Sequence, residues 1–216
     1  MTWFAGLWSF VVVVGLLTVT PGLDTALIVR TAVAGSPRQA WGVVLGIQSG
    51  TLAWGVLASA GVTALLAASH LAFEILRWVG AGYLIWMGLS LLWASRHPGP
   101  ETGPETETAR PDDGATIGTF FAGWRRGALT NLLNPKMGVF YAALLPQFIP
   151  ASATPLIFGS LLAGVHVVLG TMWSTVLVVS ARRLRRVLQR PTARKGLDRV
   201  TGTVITGFGF RLLFSR

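Results

Sequence analysis

Thr20-Pro21-Gly22-Leu23-Asp24 interrupts the first long apolar run of the chain, and Asn131-Leu132-Leu133-Asn134-Pro135-Lys136 interrupts the fourth. Each stretch sets a proline and an ionisable residue among apolar neighbours. A proline within a helix has no N–H to give and pushes away the carbonyl four residues back. In hydrocarbon, such freed backbone groups are tolerated only where they line a cavity or find other partners. A single proline kink in an apolar helix carries little information. Two at corresponding places, each beside a charge, predict a pair of broken helices.

The rest of the chain fits that frame. Of 216 residues, 52% are hydrophobic and 12% charged, with nine Trp and eleven Phe. The charged share is about half that of a soluble domain, and mean hydropathy is +0.60. Such a composition predicts an all-α integral membrane protein. Six apolar segments are read: 3–20 continuing over 24–34, then 40–68, 72–94, 119–148, 155–180 and 197–214. Each is close to or above the ~20 residues that a crossing helix requires. No Lys or Arg precedes Arg30, so the first segment is read as a membrane helix and not as a signal peptide.

The segments divide three and three. Residues 1–95 form a first repeat, 96–118 a polar linker rich in Pro, Gly, Glu, Asp and Thr, and 119–216 a second repeat. Phe4-Ala5-Gly6 near the first start rhymes with Phe121-Ala122-Gly123 near the second. An odd number of crossings per half inverts one half against the other, the plan of secondary transporters whose broken helices meet near the midplane. Basic residues set the orientation. Arg30, Arg38, Arg96, Arg110, Arg125, Arg126 and the run Arg182 to Arg199 fall on one face, against Arg77, Arg211 and Arg216 on the other. The positive-inside rule puts the first face in the cytoplasm and both termini in the periplasm. The basic run, with Leu184, Val187 and Leu188 at helical spacing, reads as an extension of the fifth helix along anionic lipid.

Asp24 is the one carboxylate deep within an apolar region. A buried aspartate costs about 2.5–3.5 kcal/mol on insertion scales. Its readings are a proton or ammonium site, or a helix N-cap after Pro21-Gly22. Lys136 is the matching cation, placed to hold a carboxylate, to pair with Asp24, or to snorkel towards headgroups. Asn131 and Asn134 bring amide donors and acceptors beside it, for solute or for interhelical hydrogen bonds. His166, midway along the fifth segment, reads as a proton relay or as a neutral histidine bonded to a nearby carbonyl. Gly42, Gly46 and Gly50 form a close-packing face, within one chain or between copies, which leaves a homo-oligomer open. Gln48 and Ser49 are weaker pathway candidates.

Several classes are excluded. Cysteine is absent, so disulfides, thiolate metal sites and dithiol electron carriers have no chemistry here. Three scattered histidines make no metal site. No phosphate loop or hydrolase signature is found, so neither an ATP-driven pump nor an enzyme is expected, and no cofactor. The net charge of +10 is accounted for by loop topology and not by a nucleic-acid partner.

Two blocks carry a resemblance: VTPGLDTALIVRTAVAGSPRQAWGVVLGIQSG (Val19 to Gly50) and GALTNLLNPKMGVFYAALLPQF (Gly127 to Phe148). With the segment spacing, the linker and the length, the chain resembles the LysE/RhtB family of amino-acid exporters. The resemblance implies proton-driven efflux of an amino acid or a derivative across the bacterial cytoplasmic membrane. It also implies that Pro21, Gly22, Asp24, Asn134, Pro135, Lys136, Pro146 and Gln147 are motif residues. Leu23 departs from it, standing where the family carries a second proline. Which amino acid is moved is not read from the sequence, and another small solute or a metal ion is the alternative cargo.

Overall fold

A computed structural model describes residues 3–96, 119–150, 152–181 and 191–214. Apart from Arg96, the expected linker 96–118 lies outside the described residues, as do 182–190 of the basic run. The helices are α1 (Trp3–Val19), α2 (Leu23–Ala34), α3 (Pro37–Ala68), α4 (His70–Arg96), α5 (Phe120–Leu132), α6 (Pro135–Val139), α7 (Pro155–Val179) and α8 (Pro191–Phe214). Between α6 and α7 the chain passes through a π-helical stretch, Phe140–Leu144, and a 3₁₀ turn, Leu145–Phe148. The described residues are all helix and connecting turn, as the apolar runs require. Among the described residues two helices, α3 and α7, are long and apolar enough to cross a bilayer, and the bent pair α1–α2 makes a third.

Both predicted breaks are present. The α1 and α2 axes are bent by 51°, so Leu23 in place of a second proline leaves the break sharp. Gly22 holds it in an extended conformation, φ −158° and ψ −168°. In the second break Asn134 caps α6 with its side chain, accepting from Lys136 N at 3.1 Å, and Pro135 takes the first helical position, where its missing N–H costs nothing.

Helix ends lie within three residues of the sequence reading except in one place. The sixth segment starts at Pro191, six residues before the expected Leu197. Hydropathy sees only the apolar part, whereas Pro at a first turn and the helix-compatible Arg194 and Lys195 let the helix begin earlier. The described part of the basic run therefore belongs to the sixth helix and does not extend the fifth, which ends at Val179.

Neighbouring residues give the helix directions. Gly42 lies against Phe120 and Trp124, Gly46 against Trp124 and Ala128, and Gly50 against Asn131, so α3 and α5 run parallel. A side chain at Gly42 or Gly46 would overlap the α5 backbone, which explains the four-residue glycine period. That stripe is thus used within the chain. Gln48 faces Gly170, Gly55 faces Ala163 and Ser59 faces Gly159, so α3 and α7 are antiparallel. Gly88 meets Gly202 and Thr206, and Gly209 meets Ala81 and Ile85, so α4 and α8 are antiparallel too.

The main core gathers α1 (Phe10, Val13, Val14, Leu17), the stretch after the second break (Met137, Phe140, Tyr141, Leu144, Leu145, Phe148) and α7 (Phe158, Leu162, Ala163). A smaller cluster joins Leu27, Ile28, Val43, Val44, Ile47 and Leu177. Large apolar side chains also point outward, among them Trp8, Trp78, Trp86, Trp93 and Val179. An apolar exterior of this extent suits a lipid solvent.

Candidate functional site

The two breaks face each other. Pro21 deprives the Leu17 carbonyl of its helical donor, and Lys136 Nζ, from the other break, donates to that oxygen at 3.1 Å. Pro135 does the same to the Asn131 carbonyl, which accepts from the Trp54 indole N–H at 3.3 Å and from Asn134 N at 3.1 Å. Each freed carbonyl is thus met by a side chain from the opposite half of the chain. Asn131 Nδ2 donates to Asp24 Oδ2 at 2.8 Å, a third link across the gap. Along this contact Gly6 lies near Phe148, Leu17 binds Lys136, and Asp24 binds Asn131, so the two broken segments run antiparallel.

Asp24 is not the cap of α2. Gly22 holds that position without a side-chain cap, and Asp24 sits in the first turn with its carboxylate turned to Asn131. A negative charge there is favoured by the helix N-terminus. Its Oδ1 is buried without a hydrogen-bond partner among the described residues, as is Oδ1 of Asn131. The Lys136 ammonium is close enough to bear electrostatically on Asp24 and on His166.

These residues line one cavity of about 60 Å³, with Leu17, Thr18, Thr20, Gly22, Asp24, Thr25 and Ile28 on the first broken segment and Asn134, Lys136 and Met137 on the second. Ile47, Gln48 and Thr51 of α3 and His166, Gly170, Trp173, Ser174 and Leu177 of α7 complete the wall. At about 10–15 Å³ of such space per water, it has room for about four to six waters. That suits a small solute and not a peptide. Leu17 and Met137 belong both to the cavity wall and to the main core, whose rings interlock: Phe10–Phe148 centroids are 5.3 Å apart and Phe140–Tyr141 5.3 Å. Ile28, Ile47 and Leu177 belong both to the wall and to the smaller cluster.

His166 is buried at the centre of α7. Its partners are hydroxyls and not the expected carbonyl: Tyr141 Oη at 2.9 Å from Nδ1 and Thr18 Oγ1 at 3.5 Å from Nε2. The structure brings Asp24, Asn134, Lys136, His166, Gly22 and Gln48 to the cavity wall, and Asn131 directly behind Asp24. Pro21 and Pro135 shape the wall without lining it. Ser49 is exposed, accepts from Trp124 Nε1 at 3.2 Å and stands apart from the site. Sequence reasoning passed over Trp54, Tyr141, Thr18, Trp173 and Ser174. Trp54 carried a signal, for it continues the 42, 46, 50 stripe by one more step of four. Among the described residues no group of three or more His, Asp or Glu stands together as a metal site.

Antiparallel broken segments around a small polar cavity in an apolar helical body define a membrane translocator of small solutes. The chain belongs to the LysE type translocator family, whose model matches residues 15–216. It is 32% identical over 218 residues to a homoserine/homoserine lactone efflux protein of Salmonella typhimurium, covering 99% of this chain and 97% of the relative. It is 29% identical to a leucine efflux protein of Enterobacter sp. (95% and 93% covered) and 28% identical to a threonine efflux protein of Escherichia coli (91% and 92%). No solved structure matches.

Proposed function

We propose that this protein is a proton-coupled secondary exporter of an amino acid or amino-acid derivative across the bacterial cytoplasmic membrane. Export of amino acids is the activity named for its relatives. The observation that carries the reading to this chain is the cavity between the two breaks, with a carboxylate at one wall and an ammonium at the other. A zwitterionic solute is complementary to that pair: its ammonium meets Asp24 and its carboxylate meets Lys136 with the amide of Asn134. Asp24 carries the proton that couples efflux to the gradient, and His166 lines the same cavity.

The helix directions support six crossings in two inverted halves. With strict alternation, the second and fourth crossings must be parallel, and the second and fifth, the third and sixth, and the first and fourth antiparallel. Those are the directions of α3 with α5, α3 with α7, α4 with α8, and α1–α2 with residues 131–148. The last three pairs each join a segment to its counterpart in the other half, as a two-fold axis in the membrane plane requires. Repeats over 1–95 and 119–216, the cytoplasmic linker 96–118 and periplasmic termini follow from this reading and from the positive-inside distribution.

Uptake into inside-out vesicles tests it. Homoserine, threonine, leucine and lysine are offered with and without an imposed proton gradient. Gradient-dependent accumulation of at least one is expected, and gradient-independent exchange of all four would overturn the coupling. A metal-ion cargo has no donor cluster among the described residues to support it.

A further inference from the structure

We infer that Tyr141 is a positioning residue that fixes the tautomer of His166 so that its Nε2 presents an N–H to the solute cavity; this rests on the cavity being the solute site. Tyr141 is 0% exposed, and its hydroxyl has one hydrogen-bond partner among the described residues, His166 Nδ1 at 2.9 Å. A neutral imidazole has one donor and one acceptor nitrogen, and the bond made at one nitrogen decides the other. If Nδ1 carried the hydrogen, it would donate to Tyr141 Oη and leave the phenolic hydrogen buried with no acceptor. Orphaned buried donors are the costlier error. If the phenol donates instead, Nδ1 accepts and the hydrogen moves to Nε2, which faces Thr18 Oγ1 at 3.5 Å, a contact long enough to be exchanged for a better acceptor.

Two aromatic rings pack against the imidazole in this orientation. Tyr141 stacks on it with centroids 5.8 Å apart and planes at 19°, and Phe140 stands edge-on at 5.8 Å and 76°. Both aromatics belong to the π-helical stretch Phe140–Leu144, whose extra residue per turn brings two consecutive side chains onto one imidazole. Such stretches recur at functional sites. His166 lines the cavity, shared with the charged groups Asp24 and Lys136. The ligand chemistry assigned to Nε2 is an oxygen acceptor, either the carboxylate or a side-chain oxygen of the solute.

The test is ¹⁵N spectroscopy of histidine-labelled protein in lipid, in a His70→Gln, His97→Gln background so that His166 alone reports. The wild-type tyrosine should give the Nε2–H pattern, and Tyr141→Phe, which keeps the ring, should give a mixture of tautomers. A wild-type Nδ1–H or doubly protonated pattern overturns the assignment, even if the variant fails to fold. A variant that keeps the pure Nε2–H pattern removes Tyr141 from the role. Adding a solute that the vesicles export should shift the Nε2–H signal, and an unmoved signal overturns the contact. Alanine and acetate, offered separately, distinguish a carboxylate from a side-chain oxygen as the acceptor, because both lack the latter. The tautomer is read without transport, so absence of amino-acid efflux and failure of this inference are separate results.

Discussion

Lys136 donates its ammonium to the carbonyl of Leu17 at 3.1 Å, the oxygen that Pro21 leaves without a helical partner. One break is therefore held by a charge from the other. The intramembrane lysine has a structural duty as well as a candidate role in binding, and the two can be separated by substitution. Lys136→Met keeps a chain of similar length and removes the donor. Leaving the Leu17 carbonyl unpaired should cost about 1–3 kcal/mol, read as a lower unfolding temperature in detergent, together with loss of efflux. Lys136→Arg keeps a donor and should recover much of the stability but little transport, since a planar fork does not replace a point charge in a small cavity. Wild-type efflux in Lys136→Met would remove Lys136 from the site.

Trp54 serves the second break as Lys136 serves the first, its indole N–H reaching the Asn131 carbonyl at 3.3 Å. Trp54→Phe preserves most of the packing and deletes that hydrogen bond. A loss of about 1 kcal/mol is expected, with efflux lowered and not abolished, because no group of the polar wall is removed. Stability measured by denaturant titration in detergent, beside a vesicle assay, checks both halves of the statement.

Asp24→Asn leaves size and the bond to Asn131 nearly intact, since an amide can accept as the carboxylate does. It abolishes the titrating group. The variant should reach the membrane at wild-type levels and lose gradient-driven efflux by at least tenfold. Full gradient-driven efflux would reassign Asp24 to holding Asn131 in place.

Much of this was legible from sequence, for identifiable reasons. Breaks show because proline is excluded from helix interiors, and Asp24 and Lys136 show because charge is rare among apolar neighbours. The glycine stripe at 42, 46 and 50 shows because close helix contact tolerates no Cβ. Trp54 and Tyr141 stayed hidden because an aromatic in an apolar run is the expected residue, and only the fold reveals which polar atom its N–H or O–H reaches. The partner of His166 was misjudged for a related reason: the π-helical stretch that delivers Tyr141 has no periodicity signal of its own. The start of α8 was missed because hydropathy is silent where a helix leaves the apolar region.

The topology reading has a direct check. Reporter fusions after Gly103 and Arg190 should report cytoplasmic locations, and a fusion after Arg216 a periplasmic one. A cytoplasmic signal at the C-terminus would leave an odd number of crossings between Arg190 and the end unsupported. It would set aside the six-crossing arrangement even though the helix directions permit it.

Gly50 offers the sharpest test of the geometry, because it touches the site only through Asn131. A Cβ built there would lie 2.7 Å from Asn131 Oδ1 and 3.0 Å from its Cβ. The Asn131 side chain can yield only by moving, and its Nδ2 is what holds Asp24. Gly50→Ala should therefore cost about 1–3 kcal/mol through overpacking and lower efflux by displacing the carboxylate, although alanine is the better helix former. Gly61→Ala lies on the same helix with nothing within 4 Å of the new methyl group, and should be neutral or slightly stabilising, with efflux unchanged. Equal behaviour of the two variants, in thermal unfolding and in vesicle transport, would mean that α5 does not press Asn131 against Gly50 as described. The contact that carries Asp24 across the gap would then have to be redrawn.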